Sequence, residues 1–329
     1  IYGLLPGLTV MQNTSWGTDK SRLNVRGRGS LNGDTPLFVV DGFARPIEYI
    51  NLSEIESISV LKDGAATALW GGRGANGVVL ITTKRGMYSK KEIKVDYKFG
   101  LGLPVNQPEF ADAYTYAKAR NEALRYDGLQ PDMDEASFLA GGNSDLYPNV
   151  DWQKEALRNH TTSHQLDITF RGGGKRLRYF SVLNYKNDMG LLNSKYTDYT
   201  DRYNSQMKKY FLNLRMNLDV DITDATKLKL NMLGMLRETK RPTTSEATLF
   251  EQIFNTPSAA FPVQTQNGLW GSNNVLKTNP IANLADVGYY KLNQRMLQAD
   301  LRLIQDLSVL TRGLSAELAI AYDNNATYQ

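Results

Sequence analysis

From residue 92 onward the chain alternates apolar and polar residues with a period of two. Ile93, Val95, Tyr97, Phe99 and Leu101 are separated by Lys94, Asp96, Lys98 and Gly100. Leu166, Ile168 and Phe170 are likewise interleaved with Asp167, Thr169 and Arg171. Such alternation predicts strands with one oily face and one wet face. Further rows follow at Leu177 to Tyr185, Leu212 to Ile222, Leu228 to Leu236, Leu297 to Leu303 and Leu314 to Tyr322. Their opposite faces carry residues such as Asn213, Arg215, Asp219, Lys229, Asn231, Asp300, Glu317 and Asp323. The pattern predicts about seven antiparallel strands.

The connections between these strands alternate in length. Gly172 to Lys175, Thr223 to Ala225 and a stretch ending at Gly313 are short, whereas about 102–162, 188–206 and 240–292 are long. A membrane β-barrel puts its short turns at one end and its long loops at the other. A soluble surface domain, such as a glycan-binding or adhesin β-domain, explains the alternation but has no reason to sort its loops. The first long loop contains Phe110 to Tyr126, where Phe110, Tyr114, Ala117 and Ala123-Leu124 recur at helical spacing, so a helix is expected on the loop crown. Seven strands facing lipid leave two edges, and unsatisfied backbone groups in hydrocarbon cost several kcal/mol each. The strands therefore ask for a larger barrel, of about 22 strands with a plugged lumen, of which this chain supplies the plug and the first third.

The first eighty-odd residues have a different texture. Leu23 to Arg26, Pro36 to Asp41, Ile55 to Lys62 and Val78 to Thr83 read as strands, and Asp63 to Trp70 reads as a short helix capped by Asp63. This is a small α+β unit. Gly72, Gly74 and Gly77 match the dinucleotide fingerprint GxGxxG, but here a helix precedes the glycines and a strand follows. No helix N-terminus is then offered to a phosphate, which argues against an NAD-binding enzyme. Gly71, Gly72, Gly74 and Gly77 are instead expected to let the helix turn sharply into the strand, at least one of them at positive φ.

Composition narrows the classes further. The chain has 329 residues, 41% hydrophobic content and a mean hydropathy of -0.41, and no apolar run reaches the roughly 18 to 20 residues of a membrane helix. The 38 basic and 34 acidic residues are spread along the chain, so the net charge of +4 gives no basic tract for nucleic acid. With no cysteine, disulfides and thiolate chemistry are out. The chain opens at Ile1-Tyr2-Gly3, which suggests a processed or trimmed piece. His160 and His164 lack a third ligand, and the acidic loop of Asp127, Asp132, Asp134 and Glu135 lacks the spacing of a calcium loop, so no metal site is expected. No nucleophile, base and carboxylate constellation is present, so neither an enzyme nor a cofactor is expected. Trp16, Trp152, Trp270 and the loop-end tyrosines fit sugar stacking or an interfacial girdle, the girdle being preferred for the strand-end tyrosines.

The N-terminal runs also carry a family resemblance. "LNVRGRGSLNGDTPLFVVDG" (Leu23 to Gly42) and "INLSEIESISVLKDGAATALWGGRGANGVVLITTKRG" (Ile50 to Gly86) resemble the plug of SusC-like TonB-dependent outer-membrane transporters of Bacteroidetes. "YPNVDWQKEAL" before the second strand is also consistent with that family. Trp70 and Gly72 stand where the family usually has Tyr and often Ala.

The resemblance implies a plug over 1–88, with its N-terminal part missing, and the first part of a transmembrane barrel over 89–329. It implies structural or gating roles for Arg26, Gly27, Asp41, Gly42, Glu56, Asp63, Gly71, Arg73, Gly74, Asn76 and Gly77. Charged plug residues, among them Arg26, Arg28, Asp41, Glu54, Glu56, Asp63 and Arg73, are expected to pair within the plug and with inward wall residues such as Arg215 or Asp219. The implied partners are a SusD-like lipoprotein, the TonB-ExbB-ExbD machinery, whose contact segment is not in this chain, an oligosaccharide or peptide substrate, and outer-membrane lipid.

Overall fold

The computed structural model describes residues 8–11, 22–25, 35–47, 50–88, 91–105 and 107–329. In the N-terminal part β1 (Leu8–Met11) pairs antiparallel with β2 (Arg22–Val25). A four-stranded sheet follows, built from β3 (Leu37–Val40), β4 (Phe43–Ala44), β5 (Ile55–Leu61) and β6 (Val78–Thr83) in the order β4-β3-β6-β5. β6 is central, parallel to β3 and antiparallel to β5. Its apolar run Val78-Val79-Leu80-Ile81, three of the four β-branched, suits a strand covered on both faces. Phe38, Val40, Val79 and Ile81 form a small core against Ile47, Ile50, Ile55, Ile58 and Val60. Each such burial contributes about 1.5–3 kcal/mol.

The segment between β5 and β6 departs from a single helix. Only one α-turn forms, α1 (Gly64–Thr67), and a 3-10 stretch over Ala68–Gly74 continues it until Gly71 breaks the run at φ 54°. Asp63 stands at the N-cap position with extended backbone but makes no side-chain capping bond. The chain enters β6 through Gly77 at φ 92°, a conformation that excludes most side chains.

The second sheet has seven strands, each antiparallel to the next in chain order. These are β7 (Glu92–Gly102), β8 (Thr161–Gly173), β9 (Leu177–Met189), β10 (Lys208–Asp221), β11 (Thr226–Pro242), β12 (Tyr289–Asp306) and β13 (Ser315–Tyr328). Register places Leu218, Leu230, Leu301 and Ile320 side by side on one face. The opposite face buries Asn213, Arg215, Asn217, Asp219, Asn231, Gln298 and Asp300. The polar face looks inward onto the plug and the oily face outward, the arrangement of a barrel wall in lipid. No helix among the described residues is long and apolar enough to cross a membrane.

The three long connections fold together at one end. They carry α2 (Ala113–Tyr126), α3 (Glu135–Ala140), α4 (Trp152–Ala156), α5 (Ser194–Thr197), α6 (Glu246–Asn255) and α7 (Pro280–Ala285). Trp152, Leu157, Leu192, Leu249, Ile253 and Ile281 belong to one core drawn from all three. Each helix has its own cap: Asp112, Asp134, Asp151, Asn193, Ser245 and Asn279 accept bonds from the first-turn amides. α2 begins three residues later than its periodicity suggests, at the Asp112 cap. It buries Ala113, Ala117 and Asn121 rather than Phe110 and Tyr114; Phe110 stacks on Phe254 at 5.9 Å.

Candidate functional site at the plug and barrel wall

The plug meets the wall through polar side chains in three clusters. In the first, Glu54 ends a short 3-10 turn (Leu52–Glu54) capped by Asn51 and is sealed from solvent. Arg215 of β10 donates its Nε–H to Glu54 at 2.6 Å, and Asn213 donates to the same carboxylate. Burial pushes the Glu54 carboxyl up, while the Arg215 charge and the donated bonds pull it back. Beside it, Asn184 donates to Ser53 Oγ at 3.0 Å and to Asp167 at 2.7 Å.

The second cluster lies at the Asp41-Gly42 turn between β3 and β4, where φ is 48° and 93°. The turn aims Arg45 at the wall. Its guanidinium reaches Asp300 of β12 at 2.6 Å and Asp323 of β13 at 3.0 Å. Arg302 returns a bond to the Asp41 carbonyl at 3.0 Å. A Cβ on Gly42 would lie 2.6 Å from that guanidinium. The Asp41 side chain is turned inside the plug, accepting from the Thr83 amide at 3.0 Å and its hydroxyl at 2.6 Å.

The third cluster follows β6. Asn217 donates to Thr83 Oγ1 and to the Lys84 carbonyl, both at 2.8 Å. Arg85 pairs with Asp219 at 3.2 Å, and Arg171 donates to the Arg85 carbonyl at 2.7 Å. An isolated hydrogen bond of this kind nets about 0.5–1.5 kcal/mol, because water replaces it when the partners separate. An oily interface of the same area would have no such substitute. The arrangement can hold a plug firmly and still release it in steps.

Above the plug, toward the long-loop end, lies a cavity of about 630 Å³. Plug residues Asn51 to Ser53 form part of its floor, and Lys98, Lys186, Phe211 and Arg237 part of its wall.

The residues singled out in the sequence are distributed unevenly over this site. Arg26, Gly27 and Arg28 lie outside the described residues, as does Trp16. Asp41, Gly42 and Glu54 are at the interface. Glu56 is half-exposed, 3.9 Å from Arg171. Asp63, Gly71, Arg73 and Asn76 are exposed, and among the described residues Arg73 makes no ion pair with the wall. Gly74 is buried, and a Cβ there would meet the Thr67 carbonyl at 3.0 Å; Gly72 is open and needs no glycine. Asp219 is met by Arg85, not by a residue of the named set.

Arg45, Ser53, Thr83, Lys84 and Arg85 also stand at the interface, outside the residues singled out in the sequence. Their signal was available in part: Arg45 follows a tight Asp-Gly turn, and Lys84-Arg85 ends a strand that must face a polar lumen.

Other candidates have local roles. His164 is on the outward face of β8, bonded to Tyr97 at 2.8 Å. Asp132 pairs with Arg120 at 2.6 Å, Glu135 accepts from Asn121, and Asp134 caps α3. Trp152 is buried in the crown core and donates to the Pro257 carbonyl, while Trp270 packs 5.1 Å from Tyr199.

Residues 1–78 match the model of the TonB-dependent receptor plug domain. A TonB-dependent receptor of Formosa agariphila is 29% identical over 235 residues, covering 69% of this chain and 22% of that protein. The TonB-dependent receptor SusC of Bacteroides thetaiotaomicron is 30% identical over 208 residues, covering 58% of this chain and 19% of its own length. The chain thus spans about a fifth of the length of the curated relatives it matches. Among solved structures, the RagAB peptide importer in its closed-closed state superposes over 99% of this chain and 38% of the other, with TM-score 0.75 and 20% identity. The plug-domain match and the sequence relatives make the chain similar to the TonB-dependent receptors, and the superposition shows a shared fold. Within that class the chain is SusC-like, comprising the plug and the first strands of the barrel.

Proposed function

We propose that the chain is the plug and opening third of an outer-membrane importer that takes up oligosaccharides or oligopeptides. The observation that carries this reading is the plug–wall interface, polar throughout its three clusters and backed by a wall whose outer face is oily. In this reading a SusD-like surface lipoprotein lids the barrel and substrate is held in the cavity between lid and plug. TonB, energised from the inner membrane, then pulls the plug so that its contacts at Glu54, Arg45 and Arg85 hydrate and part. The residues at the Asp41-Gly42 turn and the Gly71 to Gly77 segment keep the plug's shape during that movement. The process is binding and transport without bond chemistry.

Uptake of labelled oligosaccharides and oligopeptides by cells with and without TonB tests this. The expected result is saturable uptake of one class that disappears without TonB. Uptake of both classes indifferent to TonB would contradict it.

A further inference from the structure

Three lysines lie in one row across adjacent strands on the outward face. Lys208 of β10 is directly opposite Lys240 of β11, and Lys240 is directly opposite Lys291 of β12. They share that face with Leu212, Leu236 and Leu297, so they point to the same side as the lipid-facing residues. Like charges placed directly across strands destabilise a sheet, and a row of three asks what anion relieves it.

The protein supplies part of the answer. Glu238 holds Lys291 at 2.9 Å, Lys240 sits 4.6 Å over the Tyr289 ring, and Glu238 and Asp198 lie within electrostatic reach of Lys240. Arg295, on the same face and nearer the leucine band, adds a fourth cation over the Tyr328 ring at 5.6 Å. Four cations therefore face two carboxylates, leaving a net positive patch.

Height and polarity identify the occupant. Lys240 is four residues beyond Leu236; at about 3.4 Å per residue and a tilt of about 40°, the row stands about 10 Å above the last leucine rung. That is headgroup depth. At the short-turn end of the same face the corresponding positions are Val220, Thr226, Leu228, Leu303 and Gln305, all uncharged. The patch thus belongs to one leaflet, the one beside the long loops.

We propose that Lys208, Lys240 and Lys291, with Arg295, bind the phosphate groups of the outer-leaflet glycolipid. This rests on the reading of the chain as an outer-membrane barrel with its long loops outside. The ammonium groups would donate to phosphate oxygens, replacing mutual repulsion with charge-assisted bonds.

The test uses the protein as extracted from outer membranes, stripped of lipid, with thermal unfolding followed as diphosphorylated lipid A is added. The native protein is expected to gain stability. A triple Lys208→Gln, Lys240→Gln, Lys291→Gln variant should bind the lipid at least about tenfold more weakly, since a lysine near an anionic surface is worth roughly a fivefold factor. The triple Lys→Arg variant, which keeps the charge, should respond as the native protein does, and this separates binding from folding.

An unchanged response of the Gln variant, or equal stabilisation by dephosphorylated lipid A, overturns the site. An equal shift with inorganic phosphate at matched concentration overturns the lipid as its source. Absence of the protein from the outer-membrane fraction would overturn the importer reading as well, whereas correct localisation with no lipid effect would overturn this inference alone.

Discussion

Replacing Arg215 with methionine removes the cation from a pair whose side chains are 2% and 0% exposed. Among the described residues Glu54 then keeps only Asn213 as a side-chain partner, in a place water does not reach. Breaking a buried pair by deleting one member costs about 3–5 kcal/mol, most of it the stranded charge. Removing both charges, with Glu54→Gln and Arg215→Met together, should return to within about 1 kcal/mol of the native protein, because no ion is left buried.

Since 1.4 kcal/mol is a factor of ten, the single variant should raise the local opening constant of the plug by about a hundredfold or more. Hydrogen exchange of the β5 and β6 amides in detergent-extracted protein reads this directly. The penalty should also depend on pH. Without Arg215 the Glu54 carboxyl, already pushed up by burial, titrates in the folded state well above its ordinary 4.5. A raised carboxyl favours the folded state below its ordinary pKa and loses that contribution as pH rises through the folded value, so the variant should recover on acidification. Exchange changed less than about threefold, or a double variant as damaged as the single, would refute the reasoning.

Leu230→Arg puts a charge at the middle of the Leu218, Leu230, Leu301 rung; it should cost about 2–4 kcal/mol and lower the yield of inserted barrel, measured by heat-modifiable mobility, and normal insertion would reverse the assigned faces. Glu246, the first residue of α6, is pushed up to about 7 by burial, with Lys209 and Arg241 pulling the other way. Its favourable contribution is present below about 4.5 and lost as pH rises to about 7. Crown stability should therefore be lower at pH 8 than at pH 5, and Glu246→Gln should flatten that dependence in thermal unfolding. Trp152→Ala empties the centre of the crown core and should cost about 3–5 kcal/mol locally. Limited proteolysis should then cut within 243–288 while the strands stay resistant.

The strands of the wall were legible because period-two alternation is set by the solvent on either side, lipid outside and polar lumen within. Loop sorting was legible because lengths are read without knowing any contact. The crown was not. α4, α5 and α7 are too short to show a helical period, and their core joins residues as distant as Trp152 and Leu284. α2 misled because its aromatic residues are partly exposed while the small Ala113 and Ala117 are the ones that pack. At the plug–wall interface, charge could be anticipated in kind but not in pairing. Glu54 with Arg215, and Arg45 with Asp300, meet across more than 150 residues, and only the register of the wall against the plug decides which charges face each other. Asp63 shows the limit of local rules: the residue is right for a cap, yet a single turn of helix does not draw its side chain back.

A plug and wall of this kind require a larger closed barrel in the outer membrane. The intact mass of the native polypeptide extracted from outer membranes tests it most directly. The expected mass in that fraction is several-fold above 36.9 kDa. A soluble native product of 36.9 kDa would contradict it, because the edges of β7 and β13 would then have no barrel to close.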